Sequence, residues 1–108
     1  MRLYCIDAPE TDREPWGSIA TGHLRGLLGP RVTLEPIELD RYGRTIGRLR
    51  QGGVDINQQL VSDGAVAVYP QYCVDSDFYE AEARARRGHR GIWAERGLHQ
   101  KPWEWRRR

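Results

Sequence analysis

The chain has 108 residues, 39% of them hydrophobic and 30% charged, which allows one compact unit around one core and excludes a collagen-like or disordered composition. No apolar run approaches the roughly 18 to 20 residues a membrane-spanning helix needs, and no signal-peptide-like stretch opens the chain, so a soluble domain is expected. Its compartment stays unknown, with a secreted or periplasmic setting open if a longer precursor exists. The net charge of +2 hides an asymmetry: residues 1–83 carry 8 basic and 13 acidic side chains, residues 84–108 carry 9 basic and 2 acidic.

In chain order, residues 2–6 are apolar enough for a short strand, which the loop Asp7-Ala8-Pro9-Glu10 stops because proline lacks a ladder donor. From residue 15 to 28, Trp16, Ile19, Ala20, Leu24, Leu27 and Leu28 recur at helical spacing, and Gly29-Pro30 ends the run, which predicts an amphipathic helix. Val32-Thr33-Leu34 opens a second strand and Thr45-Ile46-Gly47-Arg48-Leu49 a third, joined as a hairpin through Asp40-Arg41-Tyr42-Gly43. Asp55 is placed to cap a short helix carrying Ile56, Leu60 and Val61 that stops near Gly64. Residues 65–69 are β-prone, and residues 77–87 carry Phe78, Ala81 and Ala85 on one face of a charged helix ending at Gly88. The pattern predicts an α+β domain with its strands mostly in the first half.

Two cysteines cannot make a disulfide-dense scaffold, and neither lies in a C-x-x-C pair, which excludes a structural zinc site. Cys5 and Cys73 are expected as free buried thiols, with a bond between them as the alternative, because sequence alone does not bring their Cα atoms into range. Trp16 and Trp93 are expected in the core. Trp103 and Trp105 either dock the C-terminus or stack on bases, and docking is expected; the terminal arginines 106–108 are expected as a solvated end. His23, His89 and His99 show no ligand spacing.

Chemistry concentrates at the strand ends. All but one of the basic residues, Lys101, are arginine, whose planar fork grips phosphate bidentately. Arg2, Glu10 and Arg44 each fall at a strand end or its adjoining loop, where polar groups can converge. A glutamate beside two arginines suits attack on a phosphodiester: the carboxylate deprotonates water and the guanidinium groups stabilise charge on the phosphorus oxygens. The Asp7 carboxylate and the Ala8 carbonyl are hard oxygens of the kind calcium takes. On composition alone, such charges more often simply stay solvated.

Spaced motifs change that balance. The segment from Arg2 to Thr11 resembles the R-x-x-x-x-D-x-P-E-T segment of the staphylococcal nuclease (thermonuclease-like) family. Asp40-Arg41-Tyr42-Gly43-Arg44 resembles its D-[KR]-Y-G-R segment, and Asn57 to Gly64 its N-x-x-L-V-x-x-G helix. Ala81 to Ala85 is similar to its A-E-x-x-A helix, Gly91-Ile92-Trp93 to its G-[IL]-W turn, and Pro102-Trp103-Glu104-Trp105-Arg106 to the tail of many bacterial members. The resemblance runs along almost the whole chain in order. It implies an OB-type five-stranded β-barrel with three helices and calcium-dependent hydrolysis of DNA and RNA, with single strands favoured. By motif, Arg2 and Arg44 would clamp phosphate, Glu10 would be the general base, and Asp7 with the Ala8 carbonyl would hold calcium. Ala8 stands where the staphylococcal enzyme has threonine, and a backbone ligand survives that change. Arg41 and Tyr42 fall on positions flanking bound nucleotide, and Tyr69 and Tyr72 lie near the base-stacking tyrosines.

Family members open with a strand pair bearing D-G-D-T, whose second Asp is a calcium ligand, and no D-G-D occurs here. A chain starting at Met1 is therefore expected to form an incomplete barrel missing the first two strands. Three remedies are open: a homodimer through swapped or paired edge strands, a reorganised sheet, or a longer precursor. Two functional readings follow. One is a nuclease working through Arg2, Glu10 and Arg44; the other is a catalytically impaired fragment or an OB-type module that binds nucleic acid without cutting it.

Overall fold

A computed structural model describes residues 2–9 and 14–107, with the backbone alone for Tyr72 and residues 105–107. The strand expected over residues 2–6 is two strands, β1 (Arg2–Leu3) and β2 (Ile6–Asp7). Cys5 between them has φ +67°, a left-handed conformation that a β-ladder does not accommodate, so the chain turns a corner there. β1 runs parallel to β4 (Thr45–Gln51), whereas β2 pairs antiparallel with β6 (Ala67–Val68).

The expected hairpin forms, with a longer first arm. β3 (Thr33–Leu39) runs through Pro36, which lacks an N–H and sits at a register shift between Pro36 and Glu38. All seven of its residues are exposed, as suits an edge strand that tolerates proline. The turn closes through Asp40, whose carbonyl accepts from the Gly43 N–H at 3.0 Å; Gly43 has φ +82°, open to glycine without steric cost. β5 (Val54–Asp55) pairs with the far end of β4. The sheet thus has the order β1-β4-β3 with β5 on β4, and β2-β6 is a separate pair. No closed barrel is formed among the described residues, in keeping with the incomplete barrel expected from the sequence, and β3 is left as an edge.

α1 (Trp16–Leu27) matches its predicted span to within a residue at each end, but Ile19 is 47% exposed, so the buried stripe is narrower than the spacing implied. α2 (Ile56–Ser62) is capped as expected: the Asp55 carboxylate accepts from the Gln58 N–H at 3.1 Å. α3 (Ser76–Arg87) is capped by Asp75 and buries Phe78, Ala81, Glu82 and Ala85. Among the described residues there are four α-helices rather than three. The fourth, α4 (Pro102–Arg107), docks the C-terminus, with Trp103 packed on a small cluster of Ala67, Ala85, Ile92 and Trp93. None of the helices is long and apolar enough to cross a membrane.

The main core joins Leu49, Ile56, Leu60, Val61, Val68, Phe78 and Ala81, each fully buried large side chain contributing about 1.5–3 kcal/mol. Two buried polar side chains knit it. The Asn57 amide is wholly inaccessible to solvent; it donates to the Tyr4 and Gly47 carbonyls at 3.1 and 3.2 Å and accepts from the Leu49 N–H at 3.1 Å. One side chain therefore ties α2 to β4 and to the corner after β1. Glu82 accepts from the Val68 N–H at 2.6 Å and from Arg86 at 2.9 Å, anchoring β6 to α3. Where the turn after α2 meets the turn at 91, Gly64 and Gly91 both have positive φ, and a Cβ on either would collide with the other's neighbouring backbone.

Cys5 and Cys73 form a disulfide with Cα atoms 4.5 Å apart, which corrects the expectation of free thiols. The register brings them together. The Tyr69 N–H donates to the Cys5 carbonyl at 2.9 Å, and the 3₁₀ turn Pro70–Tyr72 then folds the chain back onto the Cys5 corner.

Candidate functional site

Arg2 is placed by the parallel ladder, which sets it opposite Ile46, while Glu38 of β3 sits opposite Ile46 from the other side. Arg44 immediately precedes β4, two residues before Ile46. Arg2 and Arg44 therefore line one cavity of about 290 Å³, together with Glu38, Leu39, Asp40, Arg41, Tyr42 and Ile46. The two arginines expected to act together are thus brought together by register, not by sequence proximity.

The hairpin turn orients Arg44. Asp40 Oδ1 accepts from the Tyr42 and Arg44 backbone N–H groups, each at 2.9 Å, and Oδ2 accepts from Arg44 Nε at 2.7 Å. Desolvation pushes the Asp40 carboxyl up, but those two backbone donors and the Arg44 guanidinium outweigh it and hold it below its ordinary value. The aspartate is consequently ionised wherever the site is near neutral pH. Arg44 is 51% exposed along its side chain while its Nε is held by Asp40, and it lines the cavity. Tyr42 is 69% exposed, with the Arg41 and Arg44 guanidinium carbons 5.0 and 5.6 Å from its ring centre. An exposed ring flanked by two arginines is the kind of platform on which a base can stack.

Arg48, four residues after Arg44, is used differently. It pairs with Asp55 and Asp75 at 3.2 and 3.5 Å and covers the Tyr4 ring at 5.0 Å, so its charge is spent within the fold.

The other expected site residues are more scattered. Asp7 is buried at the end of β2, Ala8 beside it is exposed, and neither lines the cavity. Glu10 lies outside the described residues, as does the Tyr72 side chain. Tyr69 is 8% exposed, and its ring stacks on Trp103 with centroids 5.2 Å apart while the Arg2 guanidinium carbon lies 5.0 Å from its centre. No group of three or more His, Cys, Asp or Glu side chains is gathered to hold a metal ion among the described residues. Sequence reasoning missed Glu38 and the structural part played by Asp40. No local signal marks Glu38: it reaches the cavity through the cross-strand register that sets it opposite Ile46.

Comparison with known proteins supplies what geometry leaves open. The family model for staphylococcal nuclease homologues matches residues 1–95. The chain belongs to the staphylococcal nuclease family. An uncharacterized endonuclease of Escherichia coli O157:H7 is 36% identical over 110 residues, covering all of this chain and 71% of that protein. A micrococcal nuclease of Shigella flexneri is 37% identical over 119 residues, covering 99% of this chain and 67% of its own length. A probable staphylococcal-like nuclease of Oryza sativa subsp. japonica is 35% identical over 108 residues, and this chain spans 32% of it. The nuclease-family match takes in the cavity, the corner at Cys5 and the buried Asn57 and Glu82, and it stops before α4.

Proposed function

We propose that this chain is a nuclease that hydrolyses phosphodiester bonds of DNA and RNA with calcium, single strands being preferred. The observation that carries the reading is the convergence of Arg2 and Arg44 on one cavity at the end of β1 and β4. Two guanidinium groups there would hold a phosphate and stabilise the charge that grows on its oxygens during attack. Glu10 would draw a proton from water, and Tyr42 with Arg41 would flank the neighbouring nucleotide. Tyr69 and Tyr72 would contact the next base only in so far as their rings are accessible, and the stack on Trp103 leaves Tyr69 better suited to supporting Arg2.

Asp7 and the Ala8 carbonyl are hard oxygen donors of the kind calcium takes, and they are the residues that would hold the ion. When bound, the ion would polarise the phosphoryl oxygens as a Lewis acid. The test is cleavage of single-stranded DNA by folded protein of known solution mass, with calcium and with EDTA. Cleavage that needs calcium is the expected result. Cleavage indifferent to EDTA would remove the ion from the proposal, and binding without cleavage would replace a nuclease by a nucleic-acid-binding module. The solution mass also reports whether a second copy pairs along the open edge of β3.

Asp40→Asn is expected to lower kcat/KM about tenfold at neutral pH while leaving the hairpin folded. The amide keeps one acceptor oxygen for the Tyr42 and Arg44 N–H groups but turns a donor toward Arg44 Nε. In the wild-type chain the clamp should persist down to acid pH, because a carboxyl held below its ordinary value contributes above that value and is lost only as pH falls through the lowered one. Unchanged kcat/KM in the variant at pH 7 would show that Arg44 needs no such clamp.

A further inference from the structure

We infer that Trp103 is a positioning residue for Arg2, acting through the Tyr69 ring. The inference rests on the proposed role of Arg2 in holding phosphate. Arg2 lies between two spaces: the large cavity with Arg44, and a pinched one of about 10 Å³ whose lining includes Tyr69. An arginine side chain has much rotamer freedom, and laying its guanidinium plane on an aromatic ring removes part of that freedom while leaving the N–H edge available for an oxyanion. Tyr69 gives Arg2 such a ring, 5.0 Å from centroid to guanidinium carbon.

The ring itself needs support. Tyr69 follows a two-residue strand and precedes a 3₁₀ turn at Pro70, so its backbone is held by few ladder bonds. Trp103 supplies the support, stacked on the ring at 5.2 Å with planes 10° apart. α4 brings Trp103 there by a chain of packed groups. Pro102 is fully buried, His99 Nε2 bonds the Ile92 carbonyl at 2.8 Å, and the His99 ring stacks on Trp16 at 4.6 Å. Trp103 lies beyond the residues the family model matches, so this support comes from the C-terminal segment and not from the matched domain.

The test is binding of a single-stranded oligonucleotide by the full chain in EDTA, which reads Arg2 without requiring cleavage. Trp103→Leu is expected to weaken binding about five- to tenfold and to lower the slope of log affinity against log salt by about 0.7, the loss of one phosphate contact. Trp103→Phe, which keeps a stacking ring, should stay within about twofold of wild type. In an Arg2→Gln background, Trp103→Leu should add less than about twofold, because the group it positions is gone. Tyr69→Leu should reproduce the same loss, and it carries the test if Trp103→Leu does not fold. Wild-type binding and salt slope in the leucine variants, or an equal loss with and without Arg2, would overturn the inference. Cleavage by the wild-type chain with calcium is scored separately: full coupling in a chain that does not cut would support the positioning role and fail the nuclease reading.

Discussion

Glu10→Gln protein is expected to fold, to bind single-stranded DNA with the wild-type salt dependence, and to cleave it about 10²- to 10⁴-fold more slowly. Glutamine keeps the shape and hydrogen-bonding reach of the side chain but cannot accept the proton that water must lose as it attacks phosphorus. Binding should be spared because the phosphate grip belongs to Arg2 and Arg44, which share the cavity and keep their charge. The measurement is a single-turnover rate with protein in excess and calcium saturating, so that product release does not mask the chemical step. A wild-type rate would remove Glu10 from the mechanism and send the search for a base to Glu38, which lines the cavity together with the Arg44-bound Asp40.

Removing the Cys5–Cys73 bond should cost about 4 kcal/mol of stability, the chain-entropy expectation for two cysteines separated by 68 positions. Both cysteines are almost fully buried, so replacement by alanine leaves no unsatisfied polar group and isolates the cross-link. The effect should reach the site, because Cys5 stands between Arg2 and Asp7 at the corner where β1 passes to β2. The denaturant midpoint of the Cys5→Ala/Cys73→Ala double variant, compared with the oxidised chain, decides the matter. Equal midpoints would mean that the ladder between Tyr69 and Cys5 holds the corner without the bond.

Sequence reading succeeded where a short-range rule decides the outcome. The Asp55 cap, the stop near Gly64, the apolar face of α3 and the hairpin turn at Asp40 all rest on contacts within a few residues, and the structure has them. It failed where distant pairing overrides local pattern. Residues 2–6 look like one strand until two different partners, β4 and β6, pull the halves apart around Cys5. Within β3, Pro36 is a residue that local pattern disfavours, yet an edge strand needs donors on one side only. α4 is six residues long and begins with proline, too short for a periodic signal, and only its docking on Tyr69 and the Ala67 cluster makes it visible. In the site, Arg2 and Arg44 stand out in the sequence through their motifs and line one cavity in the fold, whereas the carboxylate of Glu38 becomes a neighbour only through cross-strand register.

The Asn57 amide has a meaning for how the domain comes apart. Its three hydrogen bonds reach Tyr4, Gly47 and Leu49, and it is wholly inaccessible to solvent. Any state in which α2 stays docked while β1 or β4 frays leaves a buried amide or carbonyl without a partner, at a cost of about 1–3 kcal/mol for each such group. Partly opened forms are thereby penalised relative to both the intact and the fully open chain, so this region behaves as one cooperative unit. Arg2 on β1 lies just before the Tyr4 corner and Arg44 just before β4, the two places that Asn57 ties to α2. The backbone that carries both arginines is consequently tied to the cooperative opening of this unit, and loss of the Asn57 bonds would release both at once.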